Sequence, residues 1–250
     1  MMTPEDVSAV QADALAKIQG SFTLAPRDFA DSMGCATWAS GDRSGEMVGF
    51  AGEPKIGWVT KAITRGPGPS CFGELTAWVA PSFDIPHLYQ VVEVNADSSI
   101  TLTMDYIARY DLAADGGYLN EYYMSQAAWQ QQVGASVPGI TLAAARPDVY
   151  MRTILSPMCL SLTFPPGSAG AVQAAIGQQV DQWISWWQGA AEVNRMKRGG
   201  LFARDTRCHR LRFQSHADRL KAAGCDPSTA EVVAQGLVGP GDEQYVGGFS

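Results

Sequence analysis

The chain has 250 residues, of which 46% are apolar or aromatic and 17% are charged, and its formal net charge is −7 at pH 7. This composition excludes a disordered chain, which combines few large apolar residues with many charges. A chain of this length can bury one continuous core, so we expect a single domain over residues 1–250. No run approaches the ~18 apolar residues of a membrane span, and a soluble protein is therefore expected.

The first predicted element is an N-terminal helix within residues 1–20. Thr3 is a capping residue, Pro4 follows it at the first helical position, and two acids fill the first turn. These signals predict a helix from Thr3 to Ile18 with one apolar stripe. Its members are Val7, Val10, Leu15 and Ile18.

Residues 46–107 are expected to form an antiparallel sheet. Short runs rich in β-branched and aromatic residues alternate there with turn-forming clusters such as Gly-Pro-Gly-Pro. Because the connections are too short to hold a crossover helix, successive strands should pair as hairpins. The predicted strands lie near 46–50, 56–64, 71–79, 87–94 and 99–107.

Residues 118–237 are predicted to be mainly helical, and the Gly-rich segment 238–250 is predicted to be a loose tail. In the helix predicted over residues 168–196, apolar residues at helical spacing form a face wide enough to cover a sheet. A sheet flanked by helices defines an α+β fold, here an α/β/α sandwich. The predicted helices are Tyr118–Gln132, Ser168–Met196, Leu201–Ala223 and one from Asp226 to near Leu237.

Positive charge is concentrated in one segment. Between Arg195 and Lys221 lie nine basic residues and two acids, so this segment carries about +7 and the rest of the chain about −14. Such asymmetry is typical of a surface that binds an acidic partner. The acidic total, in turn, argues against a nucleic acid partner.

The cysteine pattern and the absence of familiar motifs exclude several function classes. Five scattered cysteines without a C-x-x-C pair favour reduced thiols, and with three histidines a metal site is not expected. The sequence holds no dinucleotide fingerprint, Walker loop, G-x-S-x-G or H-E-x-x-H motif. Nucleotide-binding proteins and the usual hydrolases are therefore excluded.

Two carboxylates lie inside predicted strands and are candidate proton donors. Glu93 is either exposed beside the turn at Asn95 or placed in a pocket, where loss of water would favour its protonated form. Asp105 either lies in a similar pocket as a proton donor or has a structural role, in which it caps the following turn or pairs with Arg109. A turn over residues 95–98 would place Glu93 opposite Ile100 and Asp105 opposite Leu88, on the other face of the sheet.

Histidines provide further candidates. His87 begins its strand, where a surface or hydrogen-bonded role competes with a catalytic one. On the basic helix, Asp205 and His209 are four residues apart, as are Arg212 and His216, so each pair shares a helix face. That face is either a solvated, salt-bridged surface or the wall of a pocket that also includes Asp218.

Five motifs follow one another along the chain: Ile85–Tyr89, Leu102–Asp105, Ala108–Leu112, Tyr118–Tyr123 and Arg152–Pro157. In this order and at similar spacing, they resemble the red chlorophyll catabolite reductase family. The resemblance covers about residues 70–160 and, more loosely, the basic helix.

This resemblance implies the fold of the ferredoxin-dependent bilin reductases and an enzyme without a bound metal or flavin. Such an enzyme reduces a linear tetrapyrrole with electrons from reduced ferredoxin, while its own acids supply protons. The implied docking surface for ferredoxin is Arg204, Arg207, Arg210 and Arg212.

The resemblance also implies site residues. Arg109 and Arg152 would bind the propionates of the pigment, with structural ion pairs as the alternative. Glu93 and Asp218 are the expected proton donors, and the lesser candidates are Asp105, His87 and His216.

One departure from the family lies at Val91, where the family carries a pocket glutamate. Glu93 is two residues further along the strand, on the same face and about 6–7 Å away. This departure favours the alternative that the protein binds or carries a bilin or chlorophyll catabolite without reducing it.

The expected location also follows from the resemblance, which implies the plastid stroma. The acidic N-terminus does not resemble a transit peptide, however, and fits a cytoplasmic protein equally well. A homodimer is compatible with all of these expectations.

Overall fold

Within the described residues, a nine-stranded sheet in which every pairing is antiparallel forms the centre of the protein. The computed structural model describes residues 2–27, 36–52, 54–68, 70–143 and 148–239. The strands are β1 Ala25–Arg27, β2 Thr37–Ser40, β3 Arg43–Gly52, β4 Ile56–Arg65, β5 Cys71–Val79, β6 His87–Val94, β7 Ile100–Ile107, β8 Thr141–Leu142 and β9 Leu160–Phe164. The strand order is β1-β3-β4-β5-β6-β7-β9-β8, and β2 also pairs with β3.

Helices cover both faces of this sheet, which confirms the predicted α/β/α sandwich of the α+β class. No helix within the described ranges is long and apolar enough to cross a membrane. The helices are α1 Pro4–Ser21, α2 Gly116–Tyr122, α3 Gln126–Gly134, α4 Val149–Ile154, α5 Ala169–Ser185, α6 Arg195–Ala222 and α7 Pro227–Val238.

Helices α1 and α5 pack on the first face of the sheet and enclose the main core. Thr3 caps α1 as predicted and forms a capping box with Asp6, and the predicted stripe of α1 is buried. Gly73 on β5 allows α1 to approach closely, because a Cβ atom there would lie 2.5 Å from Val7 Cγ1. From α5, Trp183 is fully buried and donates its indole N–H to the Pro86 carbonyl at 2.8 Å.

Helices α4, α6 and α7 cover the second face. Trp58, Trp78, Tyr89 and Val91 point from the sheet into a smaller buried cluster, which α6 completes with Cys208. The apolar content on both faces of β6 thus has the predicted cause, because the strand is covered on both sides.

The sheet is larger than the sequence predicted. Strand β3 extends beyond the predicted 46–50, and β1, β2, β8 and β9 were not predicted. Strand β9 corrects the expectation of a mainly helical second half, because Leu160, Leu162 and Phe164 alternate with half-buried residues and pair with β7. Five residues are too few for the period-2 pattern to stand out between two helical segments.

Two predicted helices are each divided. Residues 118–132 form parts of α2 and α3, separated at Tyr123, whose hydroxyl donates to the Tyr106 carbonyl at 2.7 Å. The predicted Ser168–Met196 helix stops at Ser185, and Gly189 follows with φ of 84°. Helix α6 then begins at Arg195 rather than Leu201, capped by Asn194. From residue 240 onwards, the predicted loose tail lies outside the described residues.

The register between β6 and β7 also differs from the prediction. Val94 pairs with Ile100, so five residues rather than four form the turn, with Ser98 at a φ of 67°. Glu93 therefore faces Thr101, and Asp105 faces Tyr89. This shift of one residue places Glu93 and Asp105 on the same face of the sheet, contrary to the prediction.

Candidate active site

A cavity of about 800 Å³ lies between the second face of the sheet and α6. Strands β6, β7 and β9 supply one wall through Glu93, Thr103 and Ser161, while α6 supplies another through Asp218 and Arg219. Helix α4 contributes Val149 and Tyr150. The cavity is large enough for a sizeable organic ligand and is lined by both apolar and ionisable groups.

A second cavity of about 320 Å³ adjoins the first. Glu93 and Arg219 line both cavities, and they therefore mark the place where the two meet. Cys71, Phe72 and Leu220 provide further walls of the smaller cavity. Together, the two cavities form an extended cleft along the sheet, which we call the interlayer cleft.

The structure brings Glu93 and Asp218 to this cleft from two separate elements. Glu93 is half-buried near the end of β6, whereas Asp218 is exposed on α6. Gln214, one helical turn earlier, donates to Asp218 Oδ1 at 2.7 Å and orients that carboxylate. Two acids on different walls can contact a ligand held between them from two sides.

A contact between α4 and α6 fixes one side of the cleft. Asp148 caps α4 by accepting the Tyr150 N–H at 2.8 Å, and it also accepts a hydrogen bond from the Ser215 hydroxyl. Both residues line the larger cavity, and neither was predicted. An aspartate before a short helical run is an N-cap signal, but nothing in the sequence around Asp148 predicts its contact with the distant Ser215.

Arg109, His87 and Asp205 form a buried cluster rather than a ligand site. Arg109 makes a bidentate ion pair with Asp205 and donates to the carbonyls of Ala80 and Phe83. Because its side chain is fully buried in these contacts, the prediction that Arg109 binds substrate is wrong, and the alternative of a structural ion pair holds.

His87 is held in the same cluster. Its Nδ1 accepts the Val79 N–H at 3.0 Å, which leaves Nε2 to donate to Asp205 at 2.9 Å. Burial lowers the pKa of His87 to about 4 despite the nearby Asp205. The imidazole is therefore neutral near pH 7 and buried away from the cleft, which contradicts its predicted catalytic role.

A second buried cluster joins Glu74 on β5 to Arg212 and His216 on α6. Glu74 Oε1 lies 2.7 Å from an Arg212 nitrogen and 3.3 Å from His216 Nε2. Burial alone would raise the pKa of Glu74, but these neighbouring groups outweigh it and hold the pKa well below its usual range. At neutral pH Arg212 supplies the permanent positive charge, because burial lowers the pKa of His216 to about 4.

This second cluster corrects two predictions. Arg212 is fully buried, so it cannot contact a partner protein as predicted. His216 is also buried and does not line the interlayer cleft, so it is not placed to transfer a proton directly. The helical spacing of Asp205 with His209 and of Arg212 with His216 does bring each pair to a buried face, which excludes the solvated-surface alternative for that face.

Asp105 lies on the face that forms the cleft, one side-chain position beyond Thr103, but deeper in the protein. It is buried, and its carboxylate accepts the Ser156 N–H at 2.7 Å and the Ser156 hydroxyl at 2.5 Å. Burial raises the pKa of Asp105 to about 7, although both hydrogen bonds oppose this shift. Its partner is thus Ser156, neither Arg109 nor the following turn.

The raised pKa of Asp105 makes a testable contribution to stability. Because the folded protein holds this proton more tightly than the unfolded chain, the contribution is complete below about pH 4 and is lost as the pH rises through 7. A shift of this size corresponds to an upper limit of roughly 4 kcal/mol. We expect the free energy of unfolding of wild type, minus that of Asp105→Asn, to decrease over this pH range in urea titrations.

Ser156→Ala provides the matched control for that experiment. It removes a hydrogen bond to the charged carboxylate, so the midpoint of the pH dependence should move to higher pH. A difference between wild type and Asp105→Asn that stays constant from pH 4 to pH 8 would contradict the assignment.

The remaining predicted arginines lie at the surface or near it. Arg152 is exposed on α4, outside the linings of the interlayer cleft. Arg204 is half-buried and donates to the Ala108 carbonyl at 2.7 Å. Arg207 and Arg210 are exposed on α6, the helix that carries Asp218.

Known proteins share this architecture of a sheet between helix layers. The crystal structure of selenomethionine-labelled phytochromobilin synthase from tomato in complex with biliverdin superposes with a TM-score of 0.70. The two chains are 14% identical over 93% of this chain and 84% of the tomato chain. This likeness shows that the fold is that of a bilin reductase.

The family is shown by the sequence itself. The chain belongs to the red chlorophyll catabolite reductase family, whose family model matches residues 60–206. Among curated protein sequences, none matches the chain. Family and fold together support an oxidoreductase that has the fold of a bilin reductase.

Proposed function

We propose that the protein reduces a linear tetrapyrrole, either red chlorophyll catabolite or a related bilin, which binds in the interlayer cleft. The observation that carries this proposal is the meeting of Glu93 and Asp218 at one cavity of about 800 Å³. The pigment would lie between the sheet and α6, with an acid on each side. Membership in the red chlorophyll catabolite reductase family supports the substrate class.

In the proposed reaction, ferredoxin delivers two electrons one at a time, and the protein supplies one proton after each electron. One double bond of the tetrapyrrole is thereby converted to a single bond with two new C–H bonds. Glu93 and Asp218 are the proposed donors, each replenished from solvent at the open side of the cleft. A pigment that displaces water from both carboxyls would favour their protonated forms.

Ferredoxin is proposed to dock on the exposed part of α6. Arg207 and Arg210 are exposed there, and helical rise places them about 12–17 Å along the axis from Asp218. A small acidic partner would be attracted by this surface, and an electron entering there would be close to the pigment.

Neutralising this surface should weaken the interaction with ferredoxin. We expect the double variant Arg207→Gln/Arg210→Gln to raise the apparent KM for ferredoxin about 3- to 10-fold at low ionic strength, with a smaller effect in about 0.3 M salt. Steady-state turnover at varied ferredoxin concentration measures this change. Lys17→Gln, on the other side of the sheet, is the control that removes a positive charge far from α6. Equal effects of both variants at all salt concentrations would exclude docking at α6.

The direct test of the proposed function is anaerobic incubation of the protein with red chlorophyll catabolite, biliverdin and other bilins, with and without reduced ferredoxin. A spectral change on mixing, followed by conversion that requires ferredoxin, is the expected result. Binding without conversion would instead favour a pigment carrier, the alternative raised by Val91, which is buried in the cluster that α4 and α6 share with the sheet. No spectral response to any pigment would overturn both functions.

A further inference from the structure

Arg219 occupies a distinctive position in the interlayer cleft. It lines both cavities, and it carries the one positive charge among the described residues that line the larger of them. The acids Glu93, Asp148 and Asp218 line that same cavity. A strongly anionic ligand such as a polyphosphate would be repelled there, whereas a single carboxylate at Arg219 is compatible with these charges.

A buried network holds the Arg219 guanidinium in place. Its Nη2 donates to His216 Nδ1 at 3.2 Å, and its Cζ lies 3.3 Å from the centre of the Phe72 ring. Since Nδ1 of His216 accepts this hydrogen bond, Nε2 carries the proton and faces Glu74 Oε1 at 3.3 Å. A chain of contacts thus runs from the buried sheet to the wall of the cleft, through Glu74, His216 and Arg219.

The state of His216 suits this positioning role. Burial lowers the pKa of His216 to about 4, so the ring is neutral at physiological pH and its Nδ1 lone pair is available to Arg219. Glu74 is also paired with Arg212 at 2.7 Å, which fixes the carboxylate that lies beside His216. A guanidinium fixed in this way loses little side-chain entropy when a ligand binds.

We propose that Arg219 recognises a propionate carboxylate of the linear tetrapyrrole, and that His216 and Glu74 are positioning residues for it. This assignment rests on the proposed function of the interlayer cleft. A planar guanidinium matches a carboxylate in a bidentate arrangement, which no other described lining group of the larger cavity can provide. Arg219, at the junction of the two cavities, thus takes the carboxylate-binding role that was predicted for Arg109 and Arg152.

The proposal is tested by comparing free-acid pigments with their methyl esters. Biliverdin and biliverdin dimethyl ester, and red chlorophyll catabolite with its ester, are titrated into wild type and variants without ferredoxin. Wild type should bind the acids about 10- to 100-fold more tightly, the range expected for a charge-assisted pair. Arg219→Gln should reduce this preference to near one by weakening acid binding alone.

Three further variants separate positioning from general damage. Arg219→Lys should keep part of the preference, because the charge remains without the bidentate geometry. His216→Phe should lower the preference while ester affinity stays unchanged, a result that simple loss of folding would not produce. Lys17→Gln removes a charge from the other side of the sheet and should leave the preference intact.

The outcomes distinguish this inference from the function on which it rests. If wild type binds acid and ester equally, or if Arg219→Gln retains the full preference, the assignment of Arg219 is overturned while pigment binding stands. If wild type binds none of the four compounds, the proposed function of the cleft fails and the assignment fails with it.

Discussion

Replacing Glu93 by Gln, or Asp218 by Asn, is expected to lower turnover of the bound pigment by about 10²- to 10⁴-fold, the usual contribution of a positioned acid. Both substitutions preserve side-chain size and remove the transferable proton. In the Asp218→Asn protein, the amide oxygen of the new side chain can still accept the hydrogen bond that Gln214 now donates at 2.7 Å. Pigment affinity should therefore change by less than about threefold, so that the loss falls on kcat.

Single-turnover reduction under anaerobic conditions, followed by absorbance, measures this effect separately from ferredoxin docking. Asp181→Asn is the matched control, because Asp181 is an exposed carboxylate on α5 that pairs with Lys17 on the opposite side of the sheet. That variant should retain full turnover. If both cleft variants also retain it, neither acid is a proton donor and the proposed site is wrong.

The two variants also distinguish the contributions of the two walls. Loss of the first protonation should leave the pigment as a one-electron-reduced radical, whereas loss of the second should allow one proton to be added before the reaction stops. Rapid spectroscopy of the Glu93→Gln and Asp218→Asn proteins therefore reports the order in which the acids act. Identical intermediates in both would show that one acid serves both steps.

Local sequence patterns predicted much of the fold, because hydrophobic periodicity and turn chemistry act over short distances. The N-terminal helix, the strands from β3 to β7 and the covered faces of the sheet follow from such patterns. The register of β6 against β7 was missed because one extra residue in the turn at Ser98 shifts every pairing and reverses the face on which Asp105 lies. Strand β9 was missed because it is short and lies between helices.

The site could be predicted only in part. Glu93 and Asp218 were expected from the family resemblance, and the structure places both at one cavity. Local sequence patterns could not predict the buried ion pairs, because the partners are far apart in the chain. Arg109 pairs with Asp205, 96 positions away, and Arg212 pairs with Glu74, 138 positions away. In a sequence these arginines look the same as solvated ones, and only the folded chain separates Arg212 from the exposed Arg207 and Arg210.

Arg109→Met is expected to destabilise the protein by about 3–5 kcal/mol, because it leaves the buried Asp205 without its bidentate partner. His87 would remain as a neutral donor, since burial lowers its pKa to about 4. The surroundings of Asp205 now hold its pKa below the usual value, with Arg109 and His87 outweighing burial. The stability this provides is present above about pH 4 and is lost as the pH falls further, so the variant should also lose this acid dependence.

Urea unfolding at pH 7 measures the cost, and a double substitution tests its cause. Arg109→Met/Asp205→Leu should recover most of the lost stability, because no unpaired charge remains buried. Lys17→Met breaks the exposed pair with Asp181 and should cost less than about 1 kcal/mol. If the Arg109→Met protein is as stable as Lys17→Met but does not bind pigment, Arg109 is a substrate-binding residue. If it is destabilised and the double substitution restores its stability, the ion pair is structural.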